Sequence, residues 1–303
     1  MKQTNKVKNK YRVPFILFCM VPPIVSFLIF YVYVNFSSFG MAFTSSSGEF
    51  SLEHFMRIIQ EFRMPSSKIR EALINTLLTF GILFITYPFK VLVSYFIYKK
   101  IPFAGFYRIV FFLPTIIFSV CIALVFTRVV GPNGVLAELI GKAAHLESTP
   151  ELLADSRFAN ATVLLNMIWL QFPGDLIIWG GTFARVPEEV LESGRIDGVS
   201  WWAEFTKIII PMVWPTVALQ MILMFCALFN STGQVFLLTN GQYGTMTLSA
   251  WMYIFLTEHA GANYHSNVYN YMSAVGLVMT VIAVAISMIA RKMSDKVYND
   301  VEF

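Results

Sequence analysis

In a strongly apolar chain, the residues with the clearest potential for chemistry are ionisable side chains inside the apolar segments. Asp175 and Lys90 are two such residues, and ionisable groups within a membrane are rare and often functional. For Asp175 two interpretations stay open: a functional carboxylate, or a carboxylate that bonds backbone amides freed by a helix break at Pro173 and Gly174. Lys90 lies toward one end of its segment, and we expect its ammonium to snorkel to the lipid headgroups.

The histidines and cysteines do not follow the spacing of metal ligands or of an activated nucleophile. No histidine has metal-ligand spacing to another His or to a Cys; the four are His54, His145, His259 and His265. The cysteines all lie in apolar runs, where a free Cys behaves as a small hydrophobic residue; they are Cys19, Cys121 and Cys226. We therefore expect no metal site, no disulfide and no enzymatic reaction.

The composition indicates that membrane-spanning helices position these residues. Of the 303 residues, 56% are hydrophobic and 13% are charged, and that charged fraction is about half of the value for a typical soluble domain. A spanning helix needs about 20 mostly apolar residues. Six segments meet this requirement: 13–35, 74–98, 109–129, 161–181, 212–238 and 271–290. The sequence predicts an all-α membrane protein, a bundle of six transmembrane helices in one domain over 1–303.

The first segment has a second interpretation, because a basic stretch from Lys2 to Arg12 precedes it as in a signal peptide. Its apolar run is longer than the usual signal core of roughly 7–15 residues, which favours an uncleaved helix. The Pro and Gly residues in the first, fourth and fifth segments also favour packed helices of a bundle, where neighbours can satisfy freed backbone groups.

The distribution of Lys and Arg predicts the orientation of the chain in the membrane. With the N-terminus in the cytoplasm, fourteen Lys and Arg residues fall in cytoplasmic segments and seven in external ones. Cytoplasmic loops carry the excess of positive charge. We therefore expect a multi-pass protein with both termini in the cytoplasm and long external segments at about 36–73, 130–160 and 239–270.

The predicted cytoplasmic segment 186–211 is the most informative part of the sequence. Pro187 stands at the predicted first helical position, and Glu188 complements the positive end of a helix. Gly198 is placed to end or bend this helix, and Ser200 to cap a second one. The pattern predicts a short helix, a glycine bend and a second helix that leads into the membrane. An exposed amphipathic helix of this kind is suited to binding by a partner.

This segment resembles the EAA loop of binding-protein-dependent ABC importer permeases, which reads E-A-A, three residues, G, nine residues, I, one residue, L-P. The spacing is the same throughout, with small residues in place of the alanines and Ile in place of Leu. The matching residues are Glu192-Ser193-Gly194, Gly198, Ile208 and Ile210-Pro211. The intervening Ile196-Asp197-Gly198 and Ser200-Trp201-Trp202 are similar to the carbohydrate and glycerol-phosphate branch of the family.

The resemblance to this branch extends along most of the chain. The further segments that carry it are Asn75-Thr76-Leu77-Leu78, Phe103–Arg108, Phe112-Leu113-Pro114 and Leu238-Thr239-Asn240-Gly241. The family's usual Gly-Gly-Pro is replaced here by Gly241-Gln242-Tyr243. These motifs do not identify the sugar.

The resemblance implies the type I ABC importer permease fold in the bacterial cytoplasmic membrane. It implies that the loop docks on a separate ATPase dimer, and that a second permease subunit completes a translocation path for a carbohydrate delivered by an extracytoplasmic solute-binding protein. The residues that would couple to the ATPase are Glu192, Ser193, Gly194, Asp197, Gly198 and Pro211. Glu192 would make a polar contact with the ATPase, and Gly198 would permit the bend.

ATP would be handled by the partner, because the chain has no G-x-x-x-x-G-K-[ST] phosphate loop. We expect no cofactor in this chain and no nucleic-acid partner.

Polar and aromatic residues on broken helices are the candidates for contact with a sugar, which needs paired hydrogen-bond donors and acceptors and a flat apolar surface. The substrate-path candidates are Asn166, Trp169, Gln171, Asp175, Asn230, Ser231 and Gln234. For any single one of them, hydrogen bonding between packed helices is the simpler interpretation.

Three alternatives remain open. The first is the same family with another substrate, such as glycerol phosphate or another polyol. The second is an ion-coupled secondary transporter, which predicts more intramembrane carboxylates and inverted repeats. The third is an intramembrane enzyme, which predicts clustered nucleophile motifs within the bundle.

Overall fold

A computed structural model of the chain describes residues 3–64, 67–143, 145, 149–231, 233–259 and 265–299. Helices dominate these residues, and the non-helical pairing among them is a single bridge between Thr44 and Phe50. The predicted all-α class is confirmed. The helices in chain order are α1 (Gln3–Phe27), a π-helical segment (Leu28–Tyr33), α2 (Val34–Ala42), α3 (Glu53–Arg63), α4 (Lys68–Tyr98), α5 (Ala104–Ile116), α6 (Ser119–Val130), α7 (Val135–Ala143) and α8 (Ala159–Phe183).

The remaining helices begin with those of the segment 186–211. They are α9 (Glu188–Ile196), α10 (Trp201–Ala203), a second π-helical segment (Glu204–Ile209), α11 (Ile210–Met212), α12 (Trp214–Cys226), α13 (Gly233–Thr239), α14 (Leu248–Glu258) and α15 (His265–Asn299). The chain divides into two compact units, residues 1–60 with 256–279 and residues 61–255 with 280–303.

In the first unit, polar contacts tie the end of the N-terminal helical run to its neighbours. The carbonyl oxygen of Thr44 accepts hydrogen bonds from His54 Nε2 and Asn270 Nδ2, each at 3.0 Å. Arg57 stacks over the Tyr271 ring at 4.2 Å. These contacts hold α3, which spans Glu53–Arg63, against its neighbours in this unit.

In the second unit, α4 packs along α8 around an aromatic core. Tyr95, Trp179 and Phe183 are fully buried, and the ring centroids of Trp179 and Phe183 are 5.5 Å apart. Phe205 and Ile209 join the same core. The helix that follows the glycine bend is therefore attached to the two helices that form the centre of this unit.

The spans agree with a multi-pass membrane protein. Within the described ranges, five helical stretches are long and apolar enough to cross a membrane: Pro14–Ala42, Lys68–Tyr98, Ser119–Ala143, Ala159–Phe183 and Asn267–Lys296. The pair Trp201–Met212 and Trp214–Cys226, bent by 76°, makes six if it is one broken span.

Two of the predicted spans differ from the structure in their continuity. Residues 109–129, predicted as one helix, fall in α5 and α6, which the non-helical residues Ile117 and Phe118 separate. The predicted helix 212–238 is also divided, because α12 ends at Cys226 and α13 begins at Gly233. In contrast, Pro173 does not interrupt α8, where it is packed among buried residues.

Candidate functional site

The segment 186–211 forms the predicted helix–bend–helix structure. The first helix, α9, begins at Glu188, one residue after Pro187. Gly198 has φ +70°, a conformation that favours glycine, and it lies just past the end of α9. The Ser200 hydroxyl accepts a hydrogen bond from the Ala203 amide at 3.3 Å, so the predicted cap of the second helix is confirmed.

Gly194 permits the close packing of the two helices of this segment. A Cβ atom on Gly194 would lie 3.1 Å from Ile208 Cδ1, tighter than ordinary van der Waals contact. Gly194 and Leu191 are buried, so this face of α9 is turned toward the second helix. Of the predicted coupling residues, Gly194 therefore has a packing role within the segment.

The opposite face of α9 is available to a partner. Glu192, Ser193, Asp197 and Gly198 are exposed, while Pro211 is half-buried at the far end of the segment. Ile196 is 86% exposed, which is a high value for a large apolar side chain. The exposed surface combines carboxylates with one projecting apolar residue, an arrangement suited to binding in a groove.

A buried polar cluster joins the second helix of the segment to the end of α4. Glu204 is 4% exposed. Its carboxylate accepts hydrogen bonds from Lys99 Nζ at 2.6 Å and from the Tyr95 hydroxyl at 3.1 Å. Burial alone lowers the pKa of the Lys99 ammonium, but its contacts with Glu204 and Tyr95 outweigh burial and raise the pKa overall.

The structure also has an open cavity of about 310 Å³ between α4, α8 and α12. Its polar lining comes from four predicted substrate-path residues and from others that the sequence analysis did not select. The predicted ones are Gln171, Asp175, Asn230 and Ser231, and the others are Thr79, Tyr87, Lys90 and Gln220. Asn230 and Ser231 lie in the non-helical stretch after α12, and irregular backbone at membrane depth is tolerated where it lines a cavity.

Lys90 does not reach toward headgroups, and that prediction is wrong. Its side chain is 1% exposed. Lys90 Nζ donates a hydrogen bond to Gln171 Oε1 at 2.7 Å and lies 3.4 Å from Asp175 Oδ2. Gln171 and Asp175 are one turn apart on α8, so they present two oxygen acceptors to one ammonium. Asp175 therefore has a charge partner on another helix.

Three predicted substrate-path residues are not among those that line the cavity. Asn166 is fully buried within α8, Trp169 is 36% exposed, and Gln234 lies on α13. The side-chain nitrogen and oxygen of Asn166 and the Oε1 atom of Gln234 are buried with no hydrogen-bond partner among the described residues, so the structure does not show the helix–helix hydrogen bonds of the simpler interpretation.

Neither the Tyr95–Glu204–Lys99 cluster nor the pairing of Lys90 is apparent from the sequence. Lys99 and Glu204 are 105 residues apart in the chain, and Lys90 and Gln171 are 81 apart. A lysine near the end of an apolar helix and a glutamate in the first turn of another are each common, so neither pattern alone reveals the pairing.

The motif Asn75-Thr76 holds a segment beyond α13 in place. Asn75 Nδ2 donates hydrogen bonds to the carbonyl oxygens of Gly244 at 2.8 Å and Met246 at 3.0 Å. The Leu248 amide donates to the Thr76 hydroxyl at 2.8 Å. Both side chains are buried, so this segment is anchored on α4 by its backbone groups.

Comparison with known proteins gives a match to one family. The model of the family described as "Binding-protein-dependent transport system inner membrane component" matches residues 67–298. A relative over nearly the full length is the multiple sugar-binding transport system permease protein MsmF of Streptococcus mutans. It is 23% identical over 295 residues, which cover 96% of this chain and 98% of MsmF.

Two solved structures have the same fold. The crystal structure of a bacterial ABC transporter involved in the import of the acidic polysaccharide alginate matches with a TM-score of 0.78 and 21% identity, covering 96% of this chain and 99% of that one. A second alginate transporter structure, in complex with a periplasmic protein bound to an alginate pentasaccharide, matches with a TM-score of 0.79 and 20% identity, covering 98% and 99%.

Proposed function

The chain belongs to the family of binding-protein-dependent transport system inner membrane components, and on that premise we propose that it is a permease subunit of an ATP-driven sugar importer. The substrate is a sugar or oligosaccharide, and an external solute-binding protein delivers it. MsmF, a sugar-transport permease that aligns along nearly the whole chain, supports this assignment. Glycerol phosphate or another polyol is the alternative substrate within the same family.

The segment 186–211 is the observation that carries the proposal. Its first helix is held by packing at Gly194 on one face and exposes Glu192 and Ile196 on the other. In this account Glu192 makes a polar contact with a cytoplasmic ATPase subunit, and Ile196 inserts into an apolar groove of that subunit. The bend at Gly198 sets the angle between the docking helix and the helix that enters the membrane.

The complete importer would contain a second permease subunit and an ATPase dimer that binds ATP, because this chain has no phosphate-binding loop. Both termini would lie in the cytoplasm. The Pro14–Ala42 span would face lipid or a second subunit, because none of its most apolar stretch is buried within this chain. The solute would pass the cavity lined by Gln171, Asp175 and Asn230, which offers hydrogen-bond donors and acceptors to hydroxyl groups.

The loop assignment is tested by co-purification of the tagged chain with co-expressed importer ATPase subunits from the same organism. Glu192→Arg reverses the charge on the exposed face, and Gly198→Trp forces a bulky side chain into a positive-φ position. We expect both variants to insert into the membrane. The amount of ATPase that co-purifies should fall at least about tenfold, which corresponds to a loss of roughly 1.4 kcal/mol of binding free energy.

The matched control is Lys142→Glu, which reverses a charge on an exposed side chain of α7 outside the segment. It should retain the ATPase at the wild-type level. Retention of the ATPase by Glu192→Arg and Gly198→Trp would show that the segment is not the docking surface.

A further inference from the structure

The Tyr95–Glu204–Lys99 cluster is polar in a place where an apolar contact would complete the core. Glu204 lies beside Phe205, and the ring centroids of Tyr95 and Phe205 are 5.0 Å apart. Burying a carboxylate costs free energy that its partner must offset. A buried ion pair is therefore weak evidence for a role in stability, and its best-attested use is to specify one arrangement of two elements.

The cluster joins the second helix of the 186–211 segment to α4, and a displacement of that segment would have to pass through both elements to reach the cavity. Glu204 begins the π-helical segment Glu204–Ile209 of the second loop helix, and short π-helical segments are frequent at functional sites. Ile208 of the same segment packs on Gly194 of α9. A force applied to the exposed face of α9 therefore reaches Glu204 through directly packed residues.

On the other side of the cluster, Lys99 and Tyr95 belong to the end of α4. Lys99 is the C-cap residue of this helix, and its backbone amide donates a hydrogen bond to the Tyr95 carbonyl oxygen at 2.9 Å. Lys90, which lines the cavity, lies nine residues earlier on the same helix, or about 13 Å along its axis at 1.5 Å per residue. An unbroken helix thus connects the cluster to the cavity.

We propose that Glu204 is a positioning residue that transmits movement of the 186–211 segment to α4 and so to the cavity. The hydrogen bonds from Lys99 and Tyr95 hold the second loop helix and α4 in one register, so that the two shift together when the loop is displaced. This role rests on the proposed function, since it requires an ATPase to displace the loop.

The test uses the whole importer, with both permease subunits, ATPase and binding protein, reconstituted in proteoliposomes. The quantity measured is sugar transported per ATP hydrolysed. Glu204→Gln keeps the size of the side chain and removes its charge. We expect the variant complex to assemble and to hydrolyse ATP, with transport per ATP reduced about fivefold or more, the lower range of typical coupling between sites. The exchange Glu204→Lys with Lys99→Glu restores the ion pair and should recover most of the loss.

The matched control is Glu138→Gln, the same chemical change at an exposed glutamate of α7, which should leave transport per ATP unchanged. Wild-type transport per ATP in Glu204→Gln, or no recovery in the exchanged pair, would overturn the proposal. Failure of Glu204→Gln to assemble while Glu138→Gln assembles would assign the cluster to folding and would also overturn it. Absence of ATP-driven uptake in the wild type would instead refute the proposed function, and the transmission role with it.

Discussion

A lysine ammonium buried between two apolar helices needs a compensating charge, because desolvating an isolated ion costs several kcal/mol. Lys90 has this compensation from Asp175 at 3.4 Å and from the Gln171 amide oxygen at 2.7 Å. The paired charges add no net charge to the cavity that they line. This arrangement suits a polar solute that is recognised through hydrogen bonds.

The charge compensation predicts a non-additive effect of mutation. Asp175→Asn leaves the Lys90 ammonium buried without a carboxylate and should lower stability by about 3 kcal/mol, as for breaking a buried pair. Lys90→Met with Asp175→Asn removes both charges and should be more stable than Asp175→Asn alone. Thermal unfolding of the purified protein in detergent measures both. Equal or lower stability of the double variant would show that the two residues do not form a coupled pair.

At the residue scale the sequence identified the ionisable groups but not their partners. The apolar context of Asp175 marked it as unusual. For Lys90, the same kind of context predicted a side chain that extends to the lipid headgroups. The pairing depends on how α4 packs against α8, and the local pattern of residues contains no record of that packing. The partners of Glu204 could not be predicted for the same reason.

Among the elements, glycine determines the geometry of the 186–211 segment at two positions with different physical requirements. Gly198 adopts a positive φ, whereas Gly194 is needed for space, since a Cβ there would approach Ile208 to 3.1 Å. The sequence predicted the bend at Gly198 from its position after the first helix. It did not predict the contact at Gly194, because the residue that needs the space is fourteen positions away.

A larger residue at Gly194 should therefore disrupt the proposed docking surface while the membrane helices remain intact. Gly194→Ala requires a shift of a few tenths of an ångström by Ile208, and we expect modest loss of ATPase binding. Gly194→Leu should separate α9 from the second helix and abolish co-purification of the ATPase. Gly105→Leu is the matched control, because nothing lies within 4 Å of a Cβ at that position in α5. ATPase binding by Gly194→Leu at the wild-type level would contradict this role.

Helix continuity was the other feature of the elements that the sequence predicted incompletely. The apolar run 109–129 indicates one span, yet the structure interrupts it at Ile117, while Pro173 is accommodated within a continuous α8. A proline removes one backbone hydrogen-bond donor whether or not the helix continues, so its presence alone does not decide whether a helix breaks. Packing of neighbouring helices decides it, and apolar composition does not encode that packing.

At the scale of the whole molecule, the all-α class and the multi-pass character followed directly from composition and segment length. The spacing of the loop motif alone indicates the family. The division into two compact units was not predicted, because the chain shows neither a change of composition nor a linker at the unit boundaries. Only part of the cavity lining was predicted, because the lining combines residues from three helices that are distant in sequence.

Uptake of solute into proteoliposomes shows whether ATP hydrolysis by partner subunits drives transport through this chain. The vesicles would contain the chain with its partner permease and ATPase, with external binding protein and a radiolabelled oligosaccharide. We expect uptake that requires internal ATP and binding protein and is unaffected when ionophores collapse the ion gradients. Uptake driven by a proton or sodium gradient without ATP would contradict the account and would identify a secondary transporter.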